Sequence, residues 1–183
     1  MEVEVKYNIS DSNSIERKLK ELGAVFVNEE IEEDYYFQHP CRDFMETDEA
    51  LRIRKTHDLV ELTYKGPKVS VKTKSRVEVN VRVDDANKAR EILERLGFKV
   101  VYVVRKNRKK YRLGDNISIS LDNVEGLGSF IEIELIAKEK DWGRAEEKIM
   151  GLARTLGLKG KPIIKSYLEL LLEREKHYPG DRS

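Results

Sequence analysis

The sequence predicts an α+β fold, and three observations carry that prediction. Stretches that alternate apolar with charged residues recur along the chain, three of them lead into amphipathic segments that end in Leu-Gly, and several connections are only two to four residues long.

In chain order, MEVEVK opens as a period-2 strand, and SDSNSIERKLKELG follows as a helix whose stripe is Ile15, Leu19 and Leu22 and whose stop is Gly23. Strands are predicted at 31–37, 50–55 and 59–65, the last two joined by THD, and short joins imply antiparallel neighbours. RVEVNV at 76–81 echoes the opening strand. The helix after it is capped by Asp84 or Asp85, carries Ala89, Ile92, Leu93 and Leu96 as its stripe, and stops at Gly97. Four more strands are predicted, at 99–104, 108–113, 117–122 and 129–135, with turns at 114–115 and at EGLG, 125–128. FIEIEL at 130–135 is the third echo, and its helix runs from the cap Asp141 to the stop Gly157. SYLELLLEREKH forms a closing helix and PGDRS a frayed end, so we expect one domain over 1–175 and a tail over 176–183.

Composition limits the function classes. Charged residues make up 38% of the 183, but 35 Lys and Arg nearly cancel 34 Asp and Glu, so no whole-molecule field favours nucleic acid or a membrane surface. Cys41 is the single cysteine, there is no N-terminal apolar leader, and no run of 18 apolar residues occurs, which together predict a cytoplasmic protein. Abundant Lys and Glu beside one glutamine, Gln38, predicts a heat-adapted host. His39, His57 and His177 have no zinc-site spacing with one another or with Cys41. No GxxxxGK[ST] loop is present, GLG at 126–128 is too short for a dinucleotide fingerprint, and RKNRKKYR reads as strand rather than as a nucleic-acid patch. Tyr35 and Tyr36 read as packing residues.

The strand faces carry the functional signal. Val3 and Val5, Leu51 and Ile53, Val77 and Val79, and Ile131 and Ile133 can lie under helices. The opposite faces carry Glu2, Glu4 and Lys6; Arg52 and Arg54; Arg76, Glu78 and Asn80; and Glu132 and Glu134. A single charged strand face is usually solvated. Recurrence on four strands of a sheet that curls toward a barrel would place these rows opposite one another across a lumen. Alternate residues are roughly 7 Å apart, so Glu2 with Glu4 and Glu132 with Glu134 form acidic pairs suited to Mg²⁺ or Mn²⁺. Arg52 and Arg54, with Lys6 and Lys65, suit a polyanion such as phosphate. Counting Asp122 among the acids and Arg76, Lys106 and Arg108 among the bases, the lumen carries about −6 against about +7. A triphosphate at about −4 with one or two divalent ions keeps it near neutrality.

Six ordered motifs, Glu2-x-Glu4-x-Lys6, ALRIR (50–54), LTYKGP (62–67), SRVE (75–78), KNRKKY (106–111) and LDNVEGLGSFIEIE (121–134), resemble the CYTH superfamily, the triphosphate tunnel metalloenzymes. LTYKGP with VEGLGxFxEIE looks most like its class IV adenylyl cyclase branch, and the resemblance runs from Met1 to about KSYLELL, 165–171. It implies a closed eight-stranded antiparallel β-barrel, or tunnel, wrapped by helices. It also implies a divalent-metal-dependent enzyme that cyclises ATP to cyclic AMP and pyrophosphate. The alternatives are a hydrolase of inorganic or thiamine triphosphate and a non-catalytic triphosphate-binding module. By the same resemblance Glu2, Glu4, Glu132 and Glu134 bind metal, with Asp122 beside them. Phosphate contacts fall to Lys6, Arg52, Arg54, Lys65, Lys106 and Arg108, with Lys165 as a late-chain ligand and Arg76 and Glu78 on the central strand. Asn80 stands where many members place another acid. The expected partner is a nucleoside or inorganic triphosphate, and the repeated architecture allows a homodimer.

Overall fold

The structure is a computed structural model that describes residues 2–68, 76–137 and 141–177, apart from the side chains of Glu2, Lys176 and His177. The element order is β1 (Glu2–Asn8), α1 (Ser12–Glu21), β2 (Val25–Gln38), β3 (Ala50–Lys55), β4 (Val60–Lys65), β5 (Glu78–Arg82), α2 (Ala86–Arg95), β6 (Lys99–Leu113), β7 (Ile117–Val124), β8 (Gly128–Ile136), α3 (Trp142–Thr155) and α4 (Tyr167–His177). The strands form one antiparallel sheet in the order β1-β8-β7-β6-β2-β3-β4-β5. The chain thus repeats a β-α-β-β-β unit, and each half lends its first strand to the last strand of the other.

The Leu-Gly echoes have a common geometric cause. After α1, α2 and α3 the glycines at 23, 97 and 157 have φ of 80°, 93° and 77°, a region that costs an L side chain energy. At each helix end two backbone N–H groups turn back. Ala24 donates to Leu19, Phe98 to Leu93 and Leu158 to Ala153, at 2.9 to 3.0 Å, while each glycine donates to the carbonyl three residues before it. This is the Schellman closure, which satisfies the orphan carbonyls of the last turn. At the N-termini, Asp11 accepts from Ser14 N–H at 3.0 Å and Asp85 from Asn87 and Lys88 N–H, which selects Asp85 over Asp84. Asp141 holds the N-cap position of α3 but makes no side-chain cap bond.

The apolar strand faces are covered much as their alternation requires. Val3, Val5, Ile119, Ile131 and Ile133 pack under Leu19 of α1, Ile149 of α3 and Leu156 just after it, while Phe37 and Ile53 pack under Leu93 of α2. α4 differs, because it docks on the concave face. The inward rows that carry Asp34, Lys106, Asp122 and Glu132 turn apolar at one end as Tyr36, Val104, Val124 and Phe130, and Tyr167, Leu168 and Leu171 pack there. Among the described residues no helix is long and apolar enough to cross a membrane.

Three expectations need correction. First, the sheet is an open, curled half-barrel and not a closed barrel, since among the described residues no ladder joins β1 to β5. The outer edge of β1 is occupied instead by the segment before α4, where Ile163 N–H donates to Lys6 C=O at 2.7 Å, and β5 is only five residues long. Second, 99–104 and 108–113 are parts of one 15-residue strand, β6, because Arg105, Lys106 and Asn107 stay in the ladder with β2, opposite Glu33, Glu32 and Ile31, and Asn107 also pairs with Asn123 of β7. Third, Val77 and Val79 are not under a helix. They are each 60% exposed, since α2 packs over β3.

Candidate active site

Curling brings both edges of the sheet to one cavity of about 210 Å³, lined by Glu4 of β1 and Glu78 of β5 among others. Of the residues singled out by sequence, Glu4, Arg52, Arg54, Lys65, Arg76, Glu78, Lys106, Arg108, Glu132 and Glu134 line it. Lys6 and Asp122 sit behind this lining. The Lys6 ammonium is fully buried, 3.1 Å from Glu132, 3.2 Å from the Lys165 carbonyl and 3.9 Å from the centre of the Tyr167 ring. Asp122 takes a fork of hydrogen bonds from Arg108, Nε at 2.6 Å, and one from Tyr167 Oη at 2.8 Å. The Glu2 side chain and Ser75 lie outside the described residues.

Lys165 departs from its expected place. Its ammonium bonds Glu173 at 2.6 and 2.7 Å on the surface, and only its backbone carbonyl turns inward, so α4 supplies its own counter-charge for the lysine.

Two buried carboxylates were missed. Glu32 and Asp34 are 0% and 1% exposed and stand inside the basic wall. Asp34 takes two bonds from Arg54 at 2.7 Å each and one from Lys106 at 3.0 Å, and lies 3.6 Å from Arg52. Glu32 lies 2.8 Å from Lys106 and 3.0 Å from Arg54. In IEEDYYF they alternate with Ile31, Glu33 and Tyr35, so the signal was present. It was hidden because Glu33 gives the outer face an acid too. Tyr36, on the same row, lines the cavity as well as packing in the core.

The electrostatics divide the wall. Burial alone would raise Glu32, but Arg108, Arg54 and Lys106 outweigh it and hold the carboxyl at about 2. Asp34 is likewise held well below the usual range by Arg54, Lys106 and Arg52 against the effect of burial. Burial pulls Lys106 down, opposed by Asp34, and Arg108 is raised far above its usual value by Asp122, Glu132 and Glu32 although burial opposes it. Arg54, Lys106 and Arg108 are therefore already engaged with carboxylates. By contrast, the Nε atoms of Arg52 and Arg76 are buried with no hydrogen-bond partner among the described residues, and both side chains line the cavity. A buried unpaired N–H is costly, and an entering anion would satisfy it.

The acidic side has the complementary problem. Glu4 and Glu134 are directly opposite in the β1–β8 ladder, and burial, then Glu4, then Glu132 push Glu134 up to about 7. Oxygen donors that repel one another suit a hard divalent cation. Among the described residues no three of these side chains already converge in the geometry of a metal site, since Glu132 is drawn to Lys6 and Arg108 and Asp122 to Arg108.

A half-barrel with a basic wall and an acidic pair inside one cavity has the chemistry to take a polyanion together with a cation. Residues 1–167 match the family model of the CYTH domain, and the chain belongs to that family. It is 44% identical over 172 residues to a Methanocaldococcus jannaschii protein named "Putative adenylate cyclase MJ0240", a match that covers 93% of this chain and 98% of that one. It is 30% identical over 164 residues to "Adenylate cyclase CyaB" of Aeromonas hydrophila, covering 86% and 81%. The solved structure of the PH1819 protein from Pyrococcus horikoshii OT3 superposes with a TM-score of 0.88 at 47% identity, covering 95% of this chain and 99% of that one.

Proposed function

We propose that the chain is a divalent-metal-dependent enzyme acting on a triphosphate, and that its reaction is the adenylyl cyclase one, ATP to cyclic AMP and pyrophosphate. The observation that supports the triphosphate reading is that Arg52 and Arg76 line one cavity and each keeps a buried Nε–H with no hydrogen-bond partner among the described residues. The cyclase reading draws on the names of the two relatives.

In this reaction the ribose 3′-oxygen bonds to the α-phosphorus, the bond from that phosphorus to the bridging oxygen breaks, pyrophosphate leaves with the electron pair, and the hydroxyl proton passes to solvent. Arg52 and Arg76 donate to non-bridging phosphate oxygens, and Lys65, held by Glu78 at 2.5 Å, supplies a third positive group at the same wall. Arg54 and Lys106, fixed by Asp34 and Glu32, contribute field from set positions and need no reorganisation as charge moves. Arg108 holds Asp122 and Glu132 in place, and Lys6 holds Glu132 and the segment that leads into α4. Glu4 and Glu134, with Glu2 and Glu132, would hold Mg²⁺ or Mn²⁺, which supplies neutralisation of phosphoryl charge.

The hydrolase alternative rests on the same donors, because they recognise the phosphate chain and leave its organic end unread. Incubation with ATP, inorganic triphosphate or thiamine triphosphate and Mg²⁺ or Mn²⁺, with products resolved, decides between them. Cyclic AMP with equimolar pyrophosphate is the expected result. Orthophosphate without cyclic AMP would transfer the assignment to a triphosphatase, and tight binding with no product would remove the enzyme reading.

A further inference from the structure

The cavity also has a short apolar wall, which phosphate chemistry does not use. The segment 39–49, between β2 and β3, is built as a fixed platform. The Gln38 side-chain amide donates to the Arg42 carbonyl at 3.2 Å and to Asp43 Oδ1 at 3.3 Å, and its oxygen accepts from Phe44 N–H at 3.4 Å. Asp43 Oδ1 accepts from Met45 N–H at 2.8 Å, and Glu49 N–H donates to the Phe44 carbonyl at 2.9 Å. The Phe44 ring is buried 5.7 Å from that of His39, which packs edge-on to Phe98 at 5.1 Å.

This anchoring leaves Met45 half-exposed, at 53%, on the lining of the same cavity as Arg52 and Arg76. Ala50 and Leu168 line the same cavity as Phe44 and Met45. An inorganic polyphosphate gains nothing from such a wall, whereas a flat heterocycle would bury it. A thioether suits this contact, being polarizable and adaptable against an aromatic face. Resting on the triphosphate reading above, we propose that the Phe44–Met45 wall receives an aromatic heterocycle attached to the phosphate chain, and that Met45 is the residue that distinguishes such a substrate from inorganic triphosphate.

The test compares the affinities of the full chain for ATP, thiamine triphosphate and inorganic triphosphate by titration calorimetry, for the wild type, Met45→Ala and Met45→Leu. Because Met45 stands outside the core, Met45→Ala keeps the wild-type thermal midpoint, which is checked first. The ratio of affinity for the preferred heterocyclic triphosphate over inorganic triphosphate falls about five- to tenfold in Met45→Ala, the size expected for losing part of one side chain's burial. It stays within twofold in Met45→Leu. The ATP and thiamine triphosphate arms show which heterocycle the wall accepts. An unmoved ratio for both would overturn the inference while leaving the triphosphate reading intact. Failure of the wild type to bind inorganic triphosphate as well would overturn the triphosphate reading itself, and this inference with it.

Discussion

Glu32 and Asp34 decide how the basic wall behaves, because each buried cation there needs a buried anion to remain ionised without a large desolvation penalty. Removing one charge of such a network leaves its partners uncompensated. Asp34→Asn removes the buried negative charge and replaces one of the two oxygens that accept from Arg54 and Lys106 with a donor, and should destabilise the fold by about 3 kcal/mol, read as a lower urea midpoint with an unchanged slope. Lys165→Ala should leave triphosphate affinity within twofold by calorimetry, because its ammonium is committed to Glu173 at the surface. Glu134 sets a pH dependence. Its carboxyl titrates at about 7 when folded against an ordinary 4.5, so it favours the folded state at low pH, and that advantage is lost as pH rises from about 4.5 through about 7. In EDTA at pH 8, Glu134→Gln should therefore be more stable than the wild type, by on the order of 2 kcal/mol, and the difference should vanish below pH 4.5. A variant no more stable at pH 8 would remove the repulsion argument.

Among the elements, the three Schellman turns offer a graded experiment, since the same conformation is required in three surroundings. At Gly23, φ 80°, a Cβ would meet nothing within 4 Å, whereas at Gly97, φ 93°, it would meet Pro40 Cβ at 3.2 Å. Gly23→Ala should cost about 1 kcal/mol from backbone strain alone, and Gly97→Ala about 2 kcal/mol, because the proline ring has little freedom to retreat. Equal urea midpoints for the two variants would show that the clash is absorbed. The stops were legible in the sequence because Leu-Gly ends each of these helices, but the stripes were only partly so: Ile92 and Leu96 of the predicted α2 stripe are 59% and 65% exposed, and Leu93 carries the packing. Also legible were the alternating rows of β1, β3 and β8, which bring Glu4, Arg52, Arg54, Glu132 and Glu134 to the cavity. What was not legible depends on tertiary surroundings. The period of KVVYVVRKNRKKYRL fits one strand or two, and only its pairing along the whole of β2 settles it. The position of α4 was hidden because its stripe shows that a face must be buried, and nothing local says that the face is concave.

For the whole molecule, the half-barrel gathers opposite charges from both halves of the repeat around one cavity. Each half of the repeat contributes to both the basic wall and the acidic pair, with Arg52 and Arg54 from the first half, Lys106 and Arg108 from the second, Glu4 from the first and Glu134 from the second. Glu32 and Asp34 add two buried negative charges to this balance, and among the described residues Arg52 and Arg76 each keep an Nε–H without a hydrogen-bond partner. On the proposed reading, a cation on Glu4 and Glu134 and a triphosphate on the basic wall would share one small cavity, so each would lower the electrostatic cost of the other. By linkage the coupling is reciprocal. A methylene-bridged triphosphate in EDTA should raise the thermal midpoint by a few degrees, and Mg²⁺ alone should move it little, because Lys6 and Arg108 already draw on Glu132. Together they should raise it by about 5–10 °C, the shift expected when a ligand at about 100 times its Kd stabilises a chain of this length. Glu4→Gln should keep most of the shift from triphosphate alone and lose the excess that Mg²⁺ adds. Purely additive shifts in the wild type would mean that cation and anion bind independently, and that the acidic pair faces away from the phosphate chain.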